Sequence, residues 1–188
     1  VEYRNAGETV RVMIWGKNSL RVVCVPNGPL DMSSSALLPQ EETEAKIAVG
    51  EDTAEITNGK ITAVFDAKDR TGAAVLSFYN DRKELLLKEI DKGGALVRRA
   101  RYFNPYEGGD YRLKVTFESN PEEKLYGMGQ YQQEVFNLKG CNLELAQRNS
   151  QASVPFYVSS LGYGFLWHNS AIGSVSFGTN TTEWRADS

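Results

Sequence analysis

The chain has 188 residues, with 21 Lys+Arg against 24 Asp+Glu, a net charge of -3 and a single histidine. That length buries a sizeable core without disulfides or metal, and the near-balanced charge provides no broad positive field for phosphate backbones or anionic lipids, so neither nucleic acid nor a membrane surface is an expected partner. No apolar run approaches the ~20 residues that span a bilayer, and residues 1–5 carry no basic region followed by an apolar stretch, which points to a cytoplasmic protein.

In chain order, Val10, Val12 and Ile14, then Leu20, Val22 and Cys24, recur at period two, the spacing that sends alternate side chains to opposite faces of a sheet. Gly16-Lys17-Asn18-Ser19 reads as the turn between these strands. Pro26-Asn27-Gly28-Pro29 ends the second, because proline cannot donate to a ladder. The stretch 33–39, opening on Ser33-Ser34-Ser35, reads as a looser linker that accommodates a short helix. Asn58-Gly59 is the strongest turn signal and joins strands over 53–57 and 60–66. A second hairpin is expected at 80–83, between 74–79 and 84–88. After a loop at 104–109, Tyr111, Leu113, Val115 and Phe117 alternate with Arg112, Lys114, Thr116 and Glu118, giving one apolar and one solvated face, and 118–121 is again a loop. Many short strands with turns at this spacing predict an all-β, antiparallel β-sandwich.

Residues that could carry chemistry are few. Cys24 and Cys141 lie far apart without metal-ligand spacing, and His168 stands alone, so buried, reduced thiols are expected and neither a metal site nor a nucleophile–histidine pair is supported. No cofactor is expected. Gly127-Met128-Gly129 is not a dinucleotide loop, since Gln132 occupies the third glycine position and no amphipathic helix follows; a bulge or a close backbone approach is the reading. Glu134 and Glu144 are the nearest imitation of a glycosidase carboxyl pair and read as solvated surface groups. Gln147-Arg148-Asn149 lies on a polar loop between apolar segments. There a guanidinium fork and an amide can meet hydroxyl groups held in fixed directions.

The ordered set Leu125-Tyr126-Gly127-Met128-Gly129-Gln130, Asn137-Leu138-Lys139-Gly140, Gln147-Arg148-Asn149, Pro155-Phe156-Tyr157-Val158-Ser159-Ser160 and Gly162-Tyr163-Gly164 resembles glycoside hydrolase family 31, which includes α-glucosidases and α-xylosidases. Leu20-Arg21-Val22-Val23 and Ile56-Thr57-Asn58-Gly59-Lys60-Ile61 are similar to the family as well, whereas 33–44 matches poorly. The resemblance implies that 1–188 is a single N-terminal domain of galactose-mutarotase-like supersandwich type. Its implied partners are a downstream catalytic (β/α)8 barrel of the same polypeptide and an α-linked oligosaccharide substrate. Both catalytic carboxylates would be barrel aspartates, so none is expected here.

The resemblance further implies that the loop bearing Gln147, Arg148 and Asn149 reaches over the barrel mouth, where it either helps hold the leaving sugar or only bridges the two domains. Some family members carry Asn-Arg-Asp at that place, and this chain lacks the carboxylate. Two rival readings are an independent carbohydrate-binding module, with Tyr131, Tyr163 or Trp167 as stacking faces, and a structural or interaction domain. The start at Val1 leaves a removed leader, and with it export, open. Asn180-Thr181-Thr182 matches a glycosylation acceptor, a pattern common by chance.

Overall fold

The computed structural model describes residues 1–5, 7–26, 28–32, 36–40, 43–67, 73–91 and 99–187. They divide into two compact units, Val1–Arg99 and Ala100–Ser188. All sheet pairings are antiparallel, and a single 3-10 turn at Glu107–Gly109 is the one helical element among the described residues. The all-β class expected from the sequence is thus the observed one.

The first unit is a two-sheet sandwich. One sheet has the order β1-β2-β3, built from Glu2–Asn5, Glu8–Ile14 and Leu20–Pro26. The other runs β4-β5-β6-β7-β8, from Lys46–Val49, Thr53–Asn58, Ile61–Asp66, Val75–Asn80 and Leu85–Lys88. Val10 and Val12 of β2 meet Ile56, Ala63, Phe65 and Leu76 of the facing sheet, so the period-two valines supply one wall of the core. Val22 departs from this pattern at 39% exposure, because β3 is an edge strand that little else covers.

The hairpin at 58–61 differs from expectation by one residue. Asn58 pairs with Ile61, so the loop residues are Gly59 and Lys60, with positive φ at Gly59 (57°). The physical reason is that Asn58 is needed elsewhere: its buried side-chain amide donates to the carbonyls of Gly16 and Ser19, both at 2.8 Å, tying this turn to the one between β2 and β3. The expected hairpin at 80–83 is present, organised by Asn80, whose Oδ1 accepts the N–H of Arg82 (3.0 Å) and of Glu84 (2.9 Å). In the linker, residues 33–35 lie outside those described, as does Asn27, and 36–39 carry no helix.

The second unit has a five-stranded sheet in the order β12-β15-β16-β10-β9 and a three-stranded one in the order β11-β13-β14. The first is built from β9 (Arg101–Pro105), β10 (Tyr111–Glu118), β12 (Asn142–Leu145), β15 (Gly173–Phe177) and β16 (Thr181–Ala186). The second contains β11 (Leu125–Gln130), β13 (Ala152–Ser159) and β14 (Gly164–Leu166). Their core is aromatic. Tyr157 stacks on Trp184 with centroids 6.2 Å apart and meets Phe177 edge-on at 5.5 Å, while Phe165 lies 5.1 Å from Trp184 and 5.7 Å from Phe117.

Two sequence motifs explain how β11 is held. Asn137 Oδ1 accepts the N–H of Leu125 (3.0 Å), and the Lys139 side chain, 8% exposed, places its ammonium 3.6 Å from the buried Glu123 carboxylate. Glu123 Oε1 also accepts the hydroxyls of Ser159 (2.5 Å) and Tyr163 (2.8 Å). Within β11 the register slips between Gly127 and Gly129, a bulge in which Gly127, Met128 and Gly129 all have positive φ (119°, 69° and 92°) and Met128 is fully buried. A Cβ on Gly129 would stand 2.1 Å from the Ala152 carbonyl oxygen, so only glycine fits there.

Candidate functional site

Residues 147–150 form the connection between β12 and β13, anchored by the buried Leu143, Leu145 and Ala146. Arg148 and Gln151 close a tight turn through an isolated bridge, with the Gln151 N–H donating to the Arg148 carbonyl at 3.0 Å. Asn149 and Ser150 occupy the exposed tip, and Ser150 has φ 72°. Positive φ at the third residue of a four-residue turn is the type II arrangement, a place usually filled by glycine or asparagine.

The structure gives the three candidate residues different tasks. Gln147 is committed to the backbone: its Nε2 donates to the Ser153 carbonyl at 2.8 Å and its Oε1 accepts the Ser153 N–H at 3.1 Å, so the amide imitates a strand partner. Arg148 is held by Glu144, with Nε donating to Oε2 at 3.1 Å and Nη2 to Oε1 at 2.7 Å. This two-point bond keeps the Glu144 carboxyl below its ordinary range and raises Arg148 further. Both groups therefore stay charged, which disqualifies Glu144 as a general acid. Both are also open to water, with side chains 57% and 50% exposed, and Nη1 of Arg148 keeps its donors. Asn149 alone presents an uncommitted amide at the tip.

Sequence reasoning missed the second ring of this site. Glu144 was expected as a solvated carboxylate, yet it supplies the acidic partner to Arg148 that the Gln147-Arg148-Asn149 tripeptide lacks. The i,i+4 spacing suggests nothing in a β protein. The pair forms because the chain leaves β12 and turns back toward β13. Tyr131 was also missed in this role: its hydroxyl donates to the Glu144 carbonyl at 2.8 Å and lies 2.8 Å from Ser153 Oγ, bracing both ends of the connection.

The aromatics that would serve a carbohydrate-binding module are engaged elsewhere. Tyr163 donates its hydroxyl to Glu123, Tyr131 braces 144 and 153, and Trp167 stacks on Trp184 with centroids 5.4 Å apart. Among the described residues no group of three or more His, Cys, Asp or Glu could hold a metal ion, and no helix is long and apolar enough to cross a membrane.

The described residues define an all-β module of antiparallel sheets, the second unit bearing a braced polar turn. The chain belongs to the family described as the glycosyl hydrolase 31 N-terminal galactose mutarotase-like domain, whose model matches residues 9–175. It is 47% identical over 203 aligned positions to a protein of Pseudescherichia vulneris described as an uncharacterized family 31 glucosidase, covering 98% of this chain and 37% of that protein. It is 34% identical over 133 positions to an alpha-xylosidase of Saccharolobus solfataricus, covering 60% of this chain and 18% of that protein. Among solved structures it resembles a GH31 alpha-xylosidase from a soil metagenome, complexed with xylose, at TM-score 0.89 and 44% identity, over 98% of this chain and 29% of that one. The chain thus spans little more than a third of the length of the Pseudescherichia vulneris protein.

Proposed function

We propose that residues 1–188 are one non-catalytic N-terminal domain of a longer family 31 glycosidase that hydrolyses α-xylosides or α-glucosides with retention. The observation that carries this reading is the mismatch of coverage: nearly the whole chain aligns, but with only 37% and 29% of the two relatives matched along its length. The family model crosses from one compact unit into the other, which supports treating both as one domain. The catalytic carboxylates then belong to a downstream barrel, and an α-linked oligosaccharide is the substrate. Two free cysteines fit a reducing, cytoplasmic compartment.

Within that enzyme the 147–150 turn lends Arg148 and Asn149 to the leaving-sugar side of the substrate site. Gln147 shapes the turn through Ser153 and contributes little direct contact. The Glu144 bond fixes the plane of the guanidinium, leaving Nη1 and the Asn149 amide to meet sugar hydroxyls.

The test is Arg148→Ala in the full-length enzyme, assayed on an α-linked disaccharide and on an aryl glycoside whose leaving group lacks those hydroxyls. Loss of a positioning hydrogen bond should lower kcat/KM on the disaccharide by about ten- to a hundredfold, equivalent to about 1–3 kcal/mol, and leave the aryl glycoside nearly unchanged. Equal effects on both substrates, or none, would remove the leaving-sugar role. Absence of glycosidase activity in the parent full-length protein would remove the wider reading.

A further inference from the structure

The Glu144–Arg148 pair stands at one end of a polar row on the five-stranded sheet. Leu143 and Leu145 of β12 are buried, so Glu144 between them lies on the outer face. The register sets it opposite Ser174 of β15, and Ser174 opposite Arg185 of β16. Arg185 donates from Nε to Glu183 Oε1 at 2.7 Å, and the ammonium of Lys114, the next residue in the row, is 3.7 Å from the same carboxylate. Two strand spacings of about 4.8 Å place Arg185 roughly 10 Å from Glu144, farther than the ~8 Å over which physiological salt screens a charge.

Arg148 and Glu144 therefore set the charge that a ligand meets at the turn. Of the guanidinium donors, Glu144 takes the one on Nε and one on Nη2, which leaves the other on Nη2 and the pair on Nη1. Those form an end-on fork able to grip two oxygens at once. An arginine offering such a fork with no acid behind it favours a carboxylate over two hydroxyls, because hydrogen bonds between charged partners are the stronger kind. Here both groups keep their charges, so a carboxylate reaching the fork is attracted by Arg148 and repelled by Glu144 on the far side of the same guanidinium. A neutral hydroxyl meets no such opposition.

We infer that Glu144 is a specificity-determining residue, reserving the Arg148 fork for neutral, hydroxyl-bearing leaving sugars and disfavouring leaving sugars that carry a carboxylate, the uronic acids. The inference rests on the proposed placement of the 147–150 turn at the leaving-sugar side of the substrate site. Its charge is separable from its bracing of Arg148, since glutamine keeps the side-chain length and one acceptor for the guanidinium while removing the negative charge. Both side chains are about half open to water, so the discrimination is moderate and sensitive to salt.

The test uses the full-length enzyme and three substrates sharing one cleaved sugar: an α-linked disaccharide with glucose as leaving unit, the same disaccharide with C6 of that glucose oxidised to a carboxylate, and an aryl glycoside. The parent is expected to favour the neutral disaccharide. Glu144→Gln should raise kcat/KM on the oxidised disaccharide relative to the neutral one by about five- to tenfold, mainly through KM, with the aryl glycoside unchanged. That gain should shrink as salt is raised, because it comes from an unopposed charge in contact with water. A ratio that Glu144→Gln does not move would overturn the inference. So would equal losses on both disaccharides, which would mark Glu144 as a brace for Arg148 and nothing more. Arg148→Ala, assayed alongside, separates the two readings. If it weakens the disaccharides and spares the aryl glycoside while Glu144→Gln leaves the ratio unmoved, the charge selection fails alone. If it does not distinguish disaccharide from aryl glycoside, the leaving-sugar placement fails and the charge selection with it.

Discussion

Glu123 lies at 7% exposure with the Ser159 and Tyr163 hydroxyls on Oε1 and the Lys139 ammonium 3.6 Å from Oε2. Removing one partner of a buried pair leaves the other charge poorly compensated, at a cost of about 3–5 kcal/mol. Because Glu123 retains two hydroxyl donors, Lys139→Met is expected at the lower end, about 3 kcal/mol, as a drop in the urea midpoint. The Glu123→Gln/Lys139→Met double variant should recover most of that loss, and a single variant as stable as the parent would show that the pair is not desolvated. The same cluster governs alkaline behaviour. Burial pushes the Tyr157 and Tyr163 hydroxyls well above the ordinary tyrosine value, and Tyr163 is raised further by its neighbours Tyr157 and Glu123. The unfolded chain therefore releases these protons near pH 10 while the folded chain keeps them. Their contribution is complete below about pH 10 and declines above it, by about 1.4 kcal/mol per pH unit for each tyrosine. Tyr163→Phe should flatten the fall in urea midpoint above about pH 10 by one tyrosine's share, and an unchanged slope would refute the linkage.

At the scale of elements, the β11 bulge and the 147–150 turn show where pattern reading succeeds and where it stops. Gly127-Met128-Gly129 was legible as a bulge because only glycine tolerates the close approach, and the geometry makes the cost unequal between glycines. Gly129→Ala puts a Cβ against the backbone at 2.1 Å with φ +92°, and should cost about 3 kcal/mol or more. Gly162→Ala, with φ +84° but nothing within 4 Å, should cost only about 1 kcal/mol. Equal unfolding midpoints for the two would contradict the packing account. The edge strands β4 and β9 were illegible: β4 is exposed along its whole length, so no burial pattern marks it, and Pro105 ends β9 on a sheet edge where its missing N–H is harmless. The Gln147-Arg148-Asn149 loop was visible as polar, but the pairing of Gln147 with Ser153 and of Arg148 with Glu144 depends on how the chain returns, which residue type alone does not encode.

For the molecule as a whole, the all-β, antiparallel class was legible because period-two patterning reports which side of each strand meets a core. The division into Val1–Arg99 and Ala100–Ser188 was not, since both units use the same period-two alternation. The exposed apolar face of the β11-β13-β14 sheet, formed by Val154, Phe156 and Val158 with Leu166, escaped notice for a related reason: Phe156-Tyr157-Val158 is apolar at consecutive positions, and such a run does not say what lies on either side. Its consequence can be measured on residues 1–188 expressed alone. A net charge of -3 gives weak mutual repulsion, and the face carries no charged residue to oppose contact between copies. Sedimentation velocity should therefore show association that grows with protein concentration. Placing lysine at Val154, whose side chain points away from Tyr157 and the aromatic core, should suppress that association while leaving the far-ultraviolet circular dichroism and the unfolding midpoint close to those of the parent. A chain that stays monomeric at hundreds of micromolar would show that Val154, Phe156, Val158 and Leu166 are tolerated in water, and the expected association would lose its energetic basis.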